Sequence, residues 1–185
     1  CALPIDSVYM TSEGNDFYNG LKFSGIGAEA NGFIHASFLK FEKPEMDEAI
    51  KISAADKSDP VSGFIKLPHA VKYKTMMQDD FNKYADKLSA DKQKFYEEKA
   101  SKSVSVYFSS WMQAEIKYEP ANMKVKYASV HVMMNPVDSK ENFTTNYEGT
   151  FSSKNLNDSA AILSDQYVHY LEDRKSIRLN SSHVS

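Results

Sequence analysis

Several stretches of this chain read with a two-residue period, which belongs to half-buried strands rather than to helices. Met123–Met134 sets Val125, Tyr127, Ser129, His131 and Met133 against Lys126, Ala128, Val130, Val132 and Met134. Ala30–Phe41 does the same, with Phe33, His35, Ser37, Leu39 and Phe41 on one side. Leu21–Ala28, Val61–Leu67, Ala70–Thr75, Ser103–Ser109, Ala114–Tyr118 and Phe143–Ser152 also read as extended, and Ala49–Ala54 as a short strand or one helical turn. Turn chemistry stands between them: Asn31-Gly32, Lys43-Pro44, the cluster Asp56 to Pro60, Glu119-Pro120-Ala121-Asn122 and Asn135-Pro136-Val137-Asp138.

One window breaks the pattern. From Asp79 to Ser101 the apolar residues Phe81, Tyr84, Ala85, Leu88, Phe95 and Tyr96 fall at helical spacing, with Lys, Asp and Glu opposite. Asp79 suits the N-cap, and Ser89-Ala90-Asp91 offers a second start that would split the segment in two. Ala160–Leu171 carries Ile162, Leu163, Tyr167, Tyr170 and Leu171 as the apolar side of a closing helix. Strands around one helical segment predict an α+β fold: an antiparallel β-sheet or β-sandwich with one central helix and a C-terminal helix. The expected division is a tether over 1–20, a single strand-rich domain over 21–172, and a non-native tail over 173–185.

Composition narrows the function. A hydrophobic content of 42%, with eleven Phe and eleven Tyr, supplies core area without disulfides, and no window approaches the roughly 20 apolar residues a membrane helix needs. The net charge is −3 and the lysines are scattered, so the one-faced basic patch that drives nucleic-acid binding is absent.

Chemical motifs are few. Gly25-Ile26-Gly27 lacks the third glycine of a phosphate loop, and strand glycines beside a packed neighbour account for it. His35, His69, His131 and His169 have no zinc spacing, no Gly-x-Ser-x-Gly occurs, and Asp79-Asp80 and Glu97-Glu98 fit a solvated helix face. Nothing identifies an enzyme. Two binding readings remain. Tyr107, Trp111, Tyr118 and Tyr127, with Phe108, Tyr147 and Phe151, fall in neighbouring expected strands and would form an aromatic platform for a glycan or protein partner, without a cofactor. Alternatively His131 and Met133, two apart on one strand face, would ligate haem iron or copper beside a small-ligand pocket.

Both ends carry resemblances. Cys1, the sole cysteine, heads a segment punctuated by Pro4, Asp6, Ser7, Gly14, Asn15, Asp16 and Gly20, and so resembles the acylated N-terminus of a mature bacterial lipoprotein. The resemblance implies lipid attachment at Cys1, a location in the cell envelope and membrane contact through that anchor only. Before Arg174 the chain has no arginine but nineteen lysines, the usage of an AT-rich genome. The segment Asp173 to His183 departs from it and, apart from one base at Ile177, resembles a common short-read sequencing adapter translated in frame. That implies a natural chain continuing past Glu172. The first expectation is therefore a non-catalytic envelope lipoprotein acting as a binding module.

Overall fold

The computed structural model describes residues 8–12, 20–100, 104–135 and 158–172. They are mainly helical. The strands β1 (Val8–Ser12) and β2 (Leu21–Gly25) pair antiparallel, Val8 opposite Gly25 and Ser12 opposite Leu21, and they form a two-stranded sheet. Then follow α1 (Ala28–Phe41), α2 (Lys43–Ala55), a 3-10 turn at Pro60–Phe64, α3 (Ala70–Thr75), α4 (Gln78–Lys99) and α5 (Val106–Met134). A 3-10 turn at Ser159–Ala161 leads into a last helix, α6, over residues 165–172. Among the described residues there is no β-sandwich, and no helix is long and apolar enough to cross a membrane.

The expected strand-rich α+β fold is therefore corrected to a helical one. The stretches read as strands over Ala30–Phe41, Ala114–Tyr118 and Met123–Met134 are helix, and Ala70–Thr75 is α3. The reason lies in which residues are buried. In α5 they are Ala114, Tyr118 and Asn122 on one stripe and Met123, Tyr127, His131 and Met134 on another, both at intervals of about one turn. In α1 they are Phe33 and Ser37. The two-residue alternation was an incidental rhythm laid over a four-residue one. Asn31-Gly32 and Glu119 to Asn122, read as turns, lie inside α1 and α5. Phe143–Ser152 lies outside the described residues.

The turn chemistry holds where it joins helices. Pro44 occupies the first turn of α2, where its missing N–H is not needed, so Lys43-Pro44 marks a helix-to-helix junction. Asp56 accepts from the Ser58 amide and Asp59 from the Val61 amide, each at 2.8 Å, which caps the 3-10 turn. Gly25 and Gly27 have φ of 91° and 85°, left-handed values that let β2 turn directly into α1. These glycines serve a turn rather than a strand interior.

The described residues form two compact units. The first comprises those up to Ala70 together with Asp91–Ser109. Its core is aromatic: Phe33 lies 5.5 Å from Phe95, 5.6 Å from Tyr96 and 6.1 Å from Phe108 between ring centroids, and Phe41 meets Phe95 edge-on at 5.6 Å. Lys92, though buried, is neutralised by Glu42 at 3.1 Å. Ser105 accepts from the Phe108 amide at 3.1 Å and so caps α5.

The second unit comprises Val71–Ala90 and the described residues from Ser110 onward. Here Phe81 packs against Tyr73 at 4.5 Å and Tyr127 at 4.8 Å, while Tyr118 packs against Tyr167 and Tyr170 at 4.8 and 5.0 Å. Ser164, fully buried, accepts from the Tyr167 amide at 3.1 Å and caps α6.

Candidate functional site

The four aromatic residues of the expected platform all lie on α5, but not on one surface. Tyr118 and Tyr127 are each 1% exposed, with both hydroxyls consumed inside the fold, whereas Tyr107 is 78% exposed and Trp111 is half-buried. Two of the four thus belong to the core and offer no face to a glycan or protein.

His131 and Met133 also part company. On a strand they would point the same way, but on a helix residues two apart diverge by about 200°. His131 is accordingly 4% exposed and Met133 63%. The His131 Nδ1 atom lies 2.8 Å from the Tyr73 carbonyl, and its ring stacks on Tyr127 at 5.0 Å. Among the described residues no group of three His, Cys, Asp or Glu could hold a metal ion. Cys1 lies outside the described residues.

The role His131 does have is structural. The last carbonyls of a helix have no partner within it, and at the C-terminal end of α3 two side chains of α5 and that of Asn135, the residue after it, take them up. His131 meets Tyr73, Tyr127 donates to the Met76 carbonyl at 2.7 Å, and Asn135 donates to Lys74 at 2.9 Å. Burial pushes the Tyr73 hydroxyl well above the usual phenol range, with Glu119 adding to it, and this hydroxyl points at the Met123 carbonyl 3.4 Å away.

A second polar cluster joins α5 to the C-terminal segment. Lys117 Nζ and the Tyr118 hydroxyl both donate to Asp158 Oδ2 at 2.8 Å. The hydrogen bonds from Lys117 and then Tyr118 hold the Asp158 carboxyl below its usual value, and the bond to Asp158 raises Lys117. Desolvation, followed by the Asp158 hydrogen bond, pushes Tyr118 up to about 12. A phenol that keeps its proton and a carboxylate that refuses one make a clamp, not an acid–base pair poised near neutrality.

Among the described residues a concavity lies in the first unit, between α1 and the C-terminal part of α4. This open groove of about 650 Å³ has Phe33, Ala36, Leu39 and Phe95 as apolar walls and Gly32 in its floor. Among the described residues a Cβ added to Gly32 would meet no atom within 4 Å, so there is room for a methyl at that position. Lys40, Lys99 and Glu29 supply the polar lining. Lys40 Nζ rests over the Phe95 ring at 4.6 Å and over Phe41 at 5.1 Å. Sequence reading missed this site because it placed Ala30–Phe41 on a strand, where Gly32, Ala36 and Lys40 share a face but Phe33 opposes them. On a helix Gly32, Phe33, Ala36 and Lys40 all come to one side. Comparison with known proteins finds no matching family, no matching curated relative and no matching solved structure.

Proposed function

We propose that this chain is a non-catalytic binding module whose ligand site is the groove between α1 and α4, and that the groove takes an elongated apolar molecule. The observation that carries the reading is the small-residue lining: Gly32 and Ala36 share it with Phe33, Leu39 and Phe95, and among the described residues an added Cβ at Gly32 meets no atom within 4 Å. Ligand sites are commonly concave, mostly apolar and of about 300–1,000 Å³, with a few polar groups at the edge. Of the residues that carried the platform and carrier expectations, Tyr118 and Tyr127 are spent on the core, and His131 and Met133 face apart.

The test is fluorescence enhancement of a solvatochromic naphthylamine dye on the whole chain. Gly32→Met extends a side chain from a position where an added Cβ meets no atom within 4 Å, and it also removes a helix-weakening glycine worth about 1 kcal/mol. The variant should melt no lower than the parent and lose the dye signal. An unchanged dye signal in a folded Gly32→Met protein would overturn the reading, as would a parent that gives no enhancement. The envelope location expected from Cys1 is a separate part of the proposal. It is tested by labelling cells with an alkynyl fatty acid, where Cys1→Ala in the full gene product should abolish incorporation.

A further inference from the structure

We infer that the ligand of the α1–α4 groove is a single-chain amphiphile with a carboxylate head held by Lys40 and Lys99, an inference that rests on the groove being a binding site. Both lysines gather at Phe95. Lys40 Nζ stands 4.6 Å from the Phe95 ring centroid, and Lys99 follows Phe95 by one turn on the same side of α4. Among the described residues neither lysine is paired with a carboxylate, in contrast to Lys43, Lys83, Lys92, Lys94, Lys117 and Lys124, which all are. Two cations left without counter-charges beside an apolar wall select an anion attached to an apolar chain.

The size of the charge selects the head group. Glu29 is the one acid in the lining, so the lining carries a net charge of +1. That suits a monoanion such as a carboxylate. A phosphate monoester, at about −1.5 to −2, would leave charge uncompensated. Glu29 has an interaction of its own and stands in the first turn of α1, where a negative charge is favoured by the helix dipole. It lies eleven residues before Lys40, about 16 Å along the helix, so the acid and the lysine stand well apart along the lining while both count in its net charge. The same span accommodates an extended chain of about a dozen carbons with bonds near 1.5 Å in a zigzag.

The test is displacement of the naphthylamine dye from the whole chain by dodecanoate, dodecanol and dodecyl phosphate, each kept below its micelle concentration. Dodecanoate should displace best. The double variant Lys40→Gln, Lys99→Gln, in which a neutral polar amide replaces each exposed ammonium, should weaken dodecanoate about tenfold, the equivalent of one charge-assisted bond, and leave dodecanol unchanged. Reversing both charges, Lys40→Glu with Lys99→Glu, should shift preference to dodecylammonium. If dodecanol displaces as well as dodecanoate and the lysine variants change nothing, the head-group assignment fails while the groove remains a binding site. Stronger displacement by dodecyl phosphate would also overturn the carboxylate. If no amphiphile displaces the dye, the acyl ligand is wrong. If the dye itself does not bind, the groove reading falls with it.

Discussion

The Ser89 hydroxyl on α4 donates to the Ile116 carbonyl on α5 at 2.8 Å. Ile116 stands four residues before Pro120, inside the same helix. Proline has no N–H to give to the carbonyl one turn back, so Ile116 loses its helical partner and a neighbouring helix supplies the replacement. A break that should cost about 3 kcal/mol or more in a lone helix is thereby softened at its polar end.

This arrangement predicts a specific coupling. Ser89→Ala should cost about 1–3 kcal/mol, because it strands a buried carbonyl. In a Pro120→Ala background the restored amide reaches Ile116 itself, and the same Ser89→Ala change should cost less than half as much. Urea unfolding of the four proteins measures it. Equal costs in both backgrounds would show that Ser89 does not stand in for the missing amide.

The capping of α3 by α5 makes a second prediction. Tyr127→Phe removes one donor from the Met76 carbonyl while keeping the ring packed on Phe81, and should cost about 1 kcal/mol. Asn135→Ala, which frees the Lys74 carbonyl, should have a similar effect. Because both act on the same helix end, amide exchange in residues 71–76 should accelerate in each variant more than exchange in residues 30–40. Uniform acceleration would argue against a local cap.

The Asp158 clamp fixes how stability varies with pH. The Asp158 carboxyl is held below the ordinary 3.8, so in acid the unfolded chain takes up the proton first. Its contribution is present above that value and is lost as pH falls through the depressed folded pKa. Tyr118 runs the other way: pushed from 10 to about 12, it loses its proton first in the unfolded chain, so its contribution is full below pH 10 and is lost as pH rises through 12. Lys117, raised above 10.5, and Tyr73, raised by burial, add to the alkaline loss. Asp158→Asn should therefore destabilise at pH 6, with a gap from the parent that closes towards pH 3. The alkaline loss should survive, because desolvation is the leading cause at Tyr118. A gap that stays constant between pH 6 and pH 3 would contradict the assignment.

Gly32 offers a fourth prediction, free of any ligand. Gly32→Ala should stabilise the chain by about 0.8–1 kcal/mol, since the added methyl meets open space and glycine is the weaker helix former. Thermal or urea unfolding reads the sign. Destabilisation would mean that something covers the floor of the groove.

What the sequence disclosed follows from how residues signal burial. The window from Asp79 was legible because its charged face is unbroken, and it became α4 from Gln78 to Lys99. Ser89-Ala90-Asp91 did not divide it. The Asp56 to Pro60 turn was legible because Asp and Pro impose local geometry whatever surrounds them. In α5 local signals misled. Val, Tyr and Phe favour strands, and Pro120 with Asn122 reads as a turn, yet Ser89 offsets the proline and Asn122 donates to the Gln166 carbonyl at 2.8 Å. Those partners lie 27 and 44 residues away, where no reading of a short window reaches. The spacing Met123, Tyr127, His131, Met134 was present all along, and the stronger two-residue alternation hid it. The groove was illegible for a related reason, because Gly32 looked like a hairpin turn and not like a gap in a helix face.

The most direct test of the account is amide chemical-shift mapping of the whole chain with dodecanoate. Perturbations should concentrate in residues 29–40 and 95–99 and vanish in Gly32→Met. Shifts centred instead on Tyr73, Tyr127 and His131, or shifts that persist in Gly32→Met, would contradict the placement of the ligand between α1 and α4.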